Sequence, residues 1–190
     1  MKTENPYKRR KQPEIVRRAL LDQAARITLG QGLSKVTFQA VADAVGVTKG
    51  GVMHHFTTKN ALILEVFHDA MKKFETEVDK AMAKDPVPYG SFTRAYINAT
   101  ISLGEKGQEE FDSQATLYVL MLADSELRKL WAEWSNAQLD KHKPTDNTET
   151  LCMVRLVADG IWLSDFSGIN ISDKKSLRER LLKMTQPEHE

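Results

Sequence analysis

Tryptophan and aspartate residues lie close together in the second half of the chain. Trp131 and Trp134 are three residues apart, and Asp159 precedes Trp162 in the run LVADGIWL, which is otherwise apolar. A carboxylate beside aromatic rings can hold a lipophilic cation by charge and by cation–π attraction. A cavity lined by aromatic and methionine side chains suits a flat or flexible apolar ligand. These residues therefore predict a cavity for a small lipophilic ligand, with a cation as one option.

Eight residues are candidates for the lining of that cavity: Phe111, Asp112, Tyr118, Met121, Trp131, Trp134, Asp159 and Trp162. The alternative is that the aromatic side chains, together with Met153, only fill the core. Some acidic residues also have a structural explanation, because negative charge at Asp112 favours a helix start and Asp124 stands where it can cap the next helix. Both interpretations stay open at this point.

No arrangement of residues typical of catalysis or of metal binding occurs in the sequence. His54 and His55 are adjacent, and adjacent residues of a helix point about 100° apart, so they do not easily share a tetrahedral site. There is no H-E-x-x-H, G-x-S-x-G, phosphate-loop or dinucleotide-binding motif. The one cysteine, Cys152, excludes an internal disulfide, and its apolar surroundings in TLCMVRLV predict that it packs in the core. We expect no catalytic residue, metal site, cofactor or enzyme activity.

Helices must position these residues, because the apolar side chains recur mainly at spacings of three and four. The expected fold class is all-α, with eight or nine helices. The first helix should open near Pro13 and stop before Gly30, and Pro144 should mark a later break. The expected long helices further on span about 60–84, 91–104, 109–123, 125–142, 147–167 and 173–184.

Two short helices joined by a glycine turn lie between the first helix and these long ones. Thr37 can cap FQAVADAV, Gly46 can adopt the positive φ that the turn requires, and Thr48 can cap KGGVMHHF. Such a pair is a helix-turn-helix candidate, in which the second helix enters the major groove of DNA and the first crosses the backbone. By itself the pattern is weak support for DNA binding.

The distribution of charge strengthens that interpretation. Residues 1–60 contain 11 Lys and Arg against 4 Asp and Glu, whereas residues 61–190 contain 16 against 22. A basic first part followed by an acidic remainder suggests that the first part meets nucleic acid or another anionic surface. The run KRRK at 8–11 is either an arm that reaches phosphates or the minor groove, or a solvated run of charge, and we expect the arm.

Composition bounds the class of protein. With 190 residues, 41% of them hydrophobic and 28% charged, the chain is typical of a folded soluble protein of one domain, or of a small domain packed on a larger one. The longest apolar run, LYVLMLA at 117–123, is far short of a membrane span. The first residues, MKTENPYKRRKQPE, lack the apolar core of a secretory signal. We expect a cytoplasmic protein with no membrane association.

The run TFQAVADAVGVTKGGVMHHFTTKNAL at 37–62 resembles the N-terminal domain of the TetR/AcrR family of transcriptional repressors. The family's pattern is T-x-x-x-I-A-x-x-A-G-V-[ST]-x-G-x-[LIF]-Y-x-[HY]-F-x-[ST]-K, and residues 14–66 follow the family closely. The resemblance implies a helix-turn-helix domain over 13–60, after a basic arm at 1–12, and a helical ligand-binding and dimerisation domain over 61–190. It also implies a homodimer that binds a near-palindromic operator in double-stranded DNA and leaves it when a small molecule binds the core.

The positions that contact DNA in that family fall on eight residues: Thr37, Thr48, Lys49, Gly50, Gly51, Met53, His54 and Lys59. Lys49, Gly50 and Gly51 occupy the positions that face bases. Met53 stands where the family has a tyrosine, and a thioether is only a weak hydrogen-bond acceptor, which puts the tyrosine's phosphate contact in doubt. We expect sequence readout to rest on Lys49, on backbone contacts and on DNA shape.

The stretch DGIWL at 159–163 is similar to one in TetR relatives that sense quaternary amines or control drug efflux. The resemblance implies a repressor of an efflux or detoxification gene, with a cationic effector ahead of acyl or steroid-like ones. It also implies that the last two long helices form the dimer interface. The helix from Asn60 would carry the coupling, because a ligand that favours the wrong spacing of the recognition helices pulls the protein off DNA.

Overall fold

The computed structural model of the chain describes residues 13–101 and 113–187. Within these ranges it contains α-helices, one 3-10 helix at Leu33–Lys35 and no β-strand. The α-helices are α1 (Pro13–Gln31), α2 (Phe38–Val45), α3 (Lys49–His55), α4 (Lys59–Ala83), α5 (Ser91–Ile101), α6 (Ser113–Ala123), α7 (Ser125–Asp146), α8 (Glu149–Phe166) and α9 (Lys174–Met184). The predicted all-α class is confirmed over the described residues, and no helix among them is long and apolar enough to cross a membrane.

The first compact unit ends at Val66 and contains α1, α2, α3 and the beginning of α4. Leu20 on α1, Val41 on α2, Val52 on α3 and Leu62 on α4 each have 0% of their surface exposed. Helices as short as α2 and α3 are marginal by themselves in water. Burial of these apolar side chains therefore holds the two short helices in place.

The end of α1 differs slightly from the prediction. The helix runs through Gly30 to Gln31, and the break falls at Gly32, whose φ is 88°. That value lies in the left-handed region that favours glycine. Two glycines stand at this point of the sequence, and it is the second one that the chain uses to leave the helix.

The second compact unit begins at Phe67 and contains the rest of α4 with α5 to α9. Helix α5 lies deepest in it, since every residue from Ser91 to Ile101 except Asn98 is buried. It packs most extensively against α8 and also against α7 and α9. An apolar cluster joins α5, α8 and α9: Ile97, Ile101, Val154, Ala158, Ile161 and Leu181. This cluster fixes α5 and α8 relative to each other, and with them the side chains of these two helices that lie outside the cluster.

A buried arginine anchors the start of α5. Arg94 Nε donates to Asp85 Oδ2 at 2.6 Å, Nη1 to the Thr185 carbonyl at 2.7 Å and Nη2 to the Val87 carbonyl at 2.6 Å. Its hydrogen bond to Asp85 lowers the pKa of that carboxyl. At Gly90 a Cβ would stand 2.6 Å from the Thr185 carbonyl. The close approach of the residue before α5 to the residue after α9 therefore requires glycine. The α4–α5 loop is therefore tied to the end of α9.

The prediction of a break at Pro144 is wrong, because α7 continues through this residue to Asp146. A proline inside a helix removes one backbone hydrogen bond. Near the end of α7 other bonds hold the last turn: the Thr145 hydroxyl donates to the His142 carbonyl at 3.2 Å. The Asp146 carboxylate also accepts from the Thr93 backbone N–H at 2.8 Å. Contacts with α5 thus outweigh a local break signal.

Candidate nucleic-acid interface and ligand cavity

A three-residue turn joins α2 to α3. Gly46 has φ 76° and ψ 33°, in the left-handed region, and its N–H donates to the Ala42 carbonyl at 2.9 Å. The Val47 N–H donates to the same carbonyl at 3.0 Å. This arrangement ends α2 and lets α3 begin at Lys49. The predicted glycine turn of a helix-turn-helix is confirmed.

Threonine hydroxyls cap the three helices of this region. Thr37 accepts from the Ala40 N–H, Thr48 from the Gly51 N–H and Thr58 from the Ala61 N–H, each at 3.0 Å. A capping hydroxyl satisfies one of the N–H groups that a helix start leaves open. The capping roles predicted for Thr37 and Thr48 are confirmed. The remaining N–H groups at these helix starts suit a phosphate oxygen.

Helix α3 divides into a buried and an exposed side. Val52 is fully buried, whereas Lys49, Gly50, Met53 and His54 are exposed. Met53 is 50% exposed, which is unusual for a large apolar side chain on a short helix. Positions four apart lie on the same side of a helix, so Lys49 pairs with Met53 and Gly50 with His54. The structure thus brings four of the predicted DNA-contacting residues to one exposed surface.

The glycines at the start of α3 have no role inside the chain. A Cβ at Gly50 would have Thr48 Oγ1 as its nearest neighbour at 3.9 Å, and one at Gly51 would meet the same atom at 3.4 Å. Both are ordinary contacts, and glycine in a helix costs about 1 kcal/mol relative to alanine. The fold therefore does not require glycine at either position.

Basic residues next to α3 are held by partners of their own. Lys59 Nζ donates to the Leu33 carbonyl at 3.3 Å, at the 3-10 helix. Arg17 lies 5.2 Å above the ring of Phe56 and forms an ion pair with Glu65 at 2.9 Å. Lys59 is half-buried. Its ammonium group therefore has a fixed position, and its predicted phosphate contact stays a prediction.

A cavity of about 240 Å³ lies in the second compact unit, between α5, α7 and α8. Its lining residues are Phe92, Tyr96, Trp131, Trp134, Ser135, Leu139, Cys152, Arg155, Leu156 and Asp159. Three of the residues predicted from sequence are therefore brought together there, namely Trp131, Trp134 and Asp159. The lining is mostly aromatic or aliphatic, and it contains one acidic side chain, Asp159, and one basic side chain, Arg155.

The acidic side chain is held by two tyrosines. Asp159 Oδ1 accepts from the Tyr96 hydroxyl at 2.6 Å and from the Tyr118 hydroxyl at 2.8 Å. Burial raises the pKa of the Asp159 carboxyl, while these two hydrogen bonds and the charge of Arg155 oppose the rise. Burial also raises the pKa of Tyr96, so that its hydroxyl stays neutral. The carboxylate is thus fixed in orientation at the cavity wall.

The basic side chain was not predicted as a site residue. Arg155 Nη1 donates to Thr93 Oγ1 at 2.6 Å and to the Asp146 carbonyl at 3.2 Å. Thr93 in turn donates its hydroxyl to Asp146 Oδ1 at 2.7 Å. Arg155 is the one charged residue in the apolar run TLCMVRLV. The signal that was available is its position four residues before Asp159, which places both on one face of α8.

The other predicted cavity residues lie elsewhere. The rings of Tyr118 and Trp162 stack with centroids 4.0 Å apart at 18°, and neither residue is part of the cavity lining. Met121 is half-buried and does not line the cavity. Phe111 and Asp112 lie outside the described residues, as does the KRRK run at 8–11.

The expectation that Cys152 packs in the core is wrong, and Met153 lies neither in the core nor in the cavity lining. Cys152 is exposed and lines the cavity, and Met153 is 53% exposed. Both lie on the side of α8 opposite the buried Leu151 and Val154. An almost uniformly apolar helix gives no periodic signal for which side is buried. Among the described residues, no group of three His, Cys, Asp or Glu side chains could hold a metal ion.

An apolar strip runs along α8 at the surface. It consists of Met153, Leu156, Val157 and Leu163, which are 40% to 65% exposed. These positions fall within about 120° around the helix. Gly160 lies in the middle of them, and a Cβ there would meet nothing within 4 Å. Leu156 of this surface also lines the cavity, so the two features adjoin on α8. We refer to these four residues as the α8 strip.

Comparisons with known proteins agree on one family. Residues 20–66 match the family described as "Bacterial regulatory proteins, tetR family", and residues 90–186 match "Tetracyclin repressor-like, C-terminal domain". The HTH-type transcriptional repressor KstR2 of Mycolicibacterium smegmatis is 21% identical over 162 residues, which cover 80% of this chain and 79% of that protein.

Solved structures show the same fold. The multidrug binding protein EbrR complexed with malachite green superposes with a TM-score of 0.65 at 20% identity, over 90% of this chain and 98% of that one. A TetR family member from Streptomyces coelicolor superposes with a TM-score of 0.67 at 23% identity, over 90% and 99% of the two chains.

Proposed function

The chain belongs to the TetR family of bacterial regulatory proteins and is a DNA-binding transcriptional repressor of that type, not an enzyme. From this premise we propose that a homodimer binds a near-palindromic operator through α3 and leaves it when a small lipophilic effector enters the cavity. We propose further that the effector is cationic and that the regulated gene serves efflux or detoxification.

The exposed side of α3 supports the proposed DNA contact. Lys49 and Gly50 are exposed and Gly51 is half-buried beside them, and a side chain at either glycine would keep the helix further from the floor of the major groove. Thr37, Thr48, His54 and Lys59 flank that surface as the proposed phosphate contacts. Met53 brings a thioether where a thymine methyl group can be contacted.

The α8 strip supports the proposed dimer. Its apolar side chains are exposed in the single chain, and an interface core of this kind excludes water when a second copy covers it. Two recognition helices must lie about 34–36 Å apart to enter successive major grooves on one side of B-DNA. A dimer through α8 and α9 would set that spacing.

The observation that carries the effector proposal is the carboxylate of Asp159 at the wall of an aromatic cavity. Trp131, Trp134, Phe92 and Tyr96 supply ring faces, and Asp159 supplies negative charge in a partly buried place. Together they suit a lipophilic cation. The structural neighbour EbrR has been solved with malachite green and with ethidium, which is consistent with this class of ligand.

The proposed mechanism is a shift of population. Helix α4 runs without a break from Lys59 to Ala83 and contributes residues to both compact units. A ligand that binds more tightly to a conformation with the wrong spacing of the recognition helices draws the dimer away from DNA. The proposal therefore requires that the ligand-bound dimer differ in that spacing from the DNA-bound one.

The test combines thermal unfolding with release from an operator selected from random DNA by the protein itself. The full chain is heated with benzyltrimethylammonium, ethidium, neutral aromatic compounds and fatty acids. A specific ligand at about 100 times its Kd adds about 2.7 kcal/mol, which raises Tm by several degrees. We expect the cations to raise Tm and to release the operator, and Asp159→Asn to abolish both effects.

Asp140→Asn is the matched control, because Asp140 is an exposed carboxylate on α7 and does not line the cavity. It should leave the response to cations unchanged. If Asp159→Asn responds like the parent chain, the carboxylate does not anchor the cation. If no compound raises Tm while the operator is still bound, the protein represses without an effector.

A further inference from the structure

Two opposite charges line the same cavity without pairing with each other. Asp159 and Arg155 stand four residues apart on α8, so both project from one face of the helix. Such a pair commonly joins in an ion pair along the helix surface. The ion pairs of the described side chains include none between these two.

Other partners hold the two charges apart. The hydroxyls of Tyr96 and Tyr118 both donate to Asp159 Oδ1 and fix the carboxylate from the side of α5 and α6. Arg155 is drawn toward Thr93 and the end of α7, where Nη1 makes both of its hydrogen bonds. Each charge is therefore preorganised in its position before any ligand arrives, which removes part of the cost of binding.

Both groups retain hydrogen-bonding capacity for a ligand. A guanidinium carries five N–H donors, and only Nη1 is used by Arg155. A carboxylate has acceptor sites on two oxygens, and both tyrosines use Oδ1 of Asp159. The cavity thus offers donors at one end of a helical turn and an acceptor with negative charge at the other.

A ligand with a single charge matches only half of this arrangement. A plain cation gains from Asp159 but is repelled by Arg155, and a plain anion meets the reverse. In a partly buried cavity such repulsion is screened less than at the surface. A ligand with a cationic and an anionic group at a matching distance gains from both.

Resting on the function proposed above, we propose that the effector is dipolar: its cationic group contacts Asp159, its anionic or strongly accepting group contacts Arg155, and its aromatic ring packs against the cavity wall that Trp131, Trp134 and Phe92 form. The cavity of about 240 Å³ can be probed with compounds built on a single benzene ring.

A matched series of three compounds tests this. 4-(Aminomethyl)benzoate carries an ammonium and a carboxylate at opposite ends of one benzene ring, benzylamine carries only the ammonium, and 4-methylbenzoate carries only the carboxylate. Titration calorimetry with the full chain at pH 7 measures the three affinities. We expect 4-(aminomethyl)benzoate to bind at least about tenfold more tightly than either singly charged compound, since it adds a hydrogen bond between charged groups.

Two charge-removing variants should change the affinities in opposite directions. Arg155→Gln should weaken 4-(aminomethyl)benzoate about tenfold and strengthen benzylamine, because the repelling charge is gone. Asp159→Asn should weaken both amines and strengthen 4-methylbenzoate. A folding defect weakens every ligand, so it cannot produce these opposite changes. Lys129→Gln, at an exposed position of α7, is the control and should change none of the three affinities.

The outcomes separate this inference from the function on which it rests. If benzylamine binds as tightly as 4-(aminomethyl)benzoate and Arg155→Gln alters neither affinity, the proposal of a dipolar effector is wrong, while the proposal of a cation-responsive repressor stands. If all three compounds fail to bind and ethidium or benzyltrimethylammonium succeeds, the dipolar ligand is likewise wrong. If no small molecule of any class binds, the effector function fails and this inference fails with it.

Discussion

The helix-turn-helix and the ligand cavity differ in the sequence separation of the residues that build them. Thr37 and Thr48 accept hydrogen bonds from backbone N–H groups three residues ahead. In the cavity, Asp159 accepts from Tyr96 and Tyr118, which are 63 and 41 residues away. A motif built from sequence neighbours can be recognised before the fold is known. A site assembled across several helices depends on how those helices pack.

The largest expected contrast between the two regions is their response to salt. A dimer that neutralises six to ten phosphates should lose a factor of about 10³–10⁵ in operator affinity between 50 and 200 mM salt. Residues 1–60 contain 11 Lys and Arg, enough for that number of contacts in a dimer. Ligand binding in the cavity involves two partly buried charges and should change by no more than about threefold. Fluorescence anisotropy for DNA and calorimetry for the ligand measure both, and a flat operator response would contradict binding through phosphates.

The next contrast concerns stability. Arg94→Met leaves the Asp85 carboxylate and two carbonyls without their donor, so the free energy of unfolding should fall by about 3 kcal/mol or more. Thr48→Ala removes one local cap and should cost about 1 kcal/mol. Urea unfolding of the second unit can be followed by tryptophan fluorescence, because all three tryptophans lie there. The effect of Thr48→Ala is measured by the hydrogen-exchange rates of the α3 backbone amides.

The pH dependence of the unfolding free energy of Arg94→Met tests the contribution of the Arg94–Asp85 pair to the second unit. The hydrogen bond from Arg94 lowers the pKa of Asp85 below the ordinary value of 3.8. The pair therefore stabilises the folded chain fully at pH values above 3.8, and this stabilisation is lost as the pH falls through the lowered pKa of Asp85. Arg94→Met should show less additional loss on acidification than the parent chain. Equal acid sensitivity of the two chains would argue against this pair as an anchor.

Local signals explain which parts of the fold could be predicted. The glycine at 46 and the threonine caps act on the residues beside them, so the turn and both helix starts follow from sequence. Trp131 and Trp134 could be paired because residues three apart share a helix face. The break expected at Pro144 fails because Asp146 is bonded to Thr93 on α5, a partner that the local sequence does not reveal.

The remaining cavity residues could not be predicted, for the same reason. Helix α5 is buried on nearly all sides, so nothing in SFTRAYINATI distinguishes Phe92 and Tyr96 as the residues that line the cavity. On α8 the apolar residues that contact the core and those that form the α8 strip are alike in type. The choice between Cys152 as core and Cys152 as cavity wall is made by packing alone.

A smaller effect tests whether operator binding depends on the backbone conformation of the turn at Gly46. Gly46→Ala places a side chain at φ 76°, which costs about 1–2 kcal/mol. The free chain can relieve this strain by leaving the native turn, which operator binding requires, so operator affinity should fall by up to about five- to thirtyfold. Gly30→Ala is the same substitution inside α1, where nothing lies within 4 Å of the new Cβ, and it should be neutral or stabilising. Neither should alter ligand affinity in the cavity. Equal effects of both on operator binding would mean that the turn conformation at Gly46 does not matter.

The smallest expected effect concerns protonation of the cavity carboxylate. Burial raises the pKa of Asp159, so its folded state takes up a proton at a higher pH than an ordinary aspartate, and a cation loses its partner there. The affinity for benzyltrimethylammonium, whose charge does not titrate, should fall tenfold per pH unit below that pKa. Tyr96 stays neutral over this range, because burial raises the pKa of its hydroxyl. In Asp159→Asn the affinity should be low and independent of pH. A slope that survives this substitution would assign the titration to another group and remove Asp159 as the site of the cation.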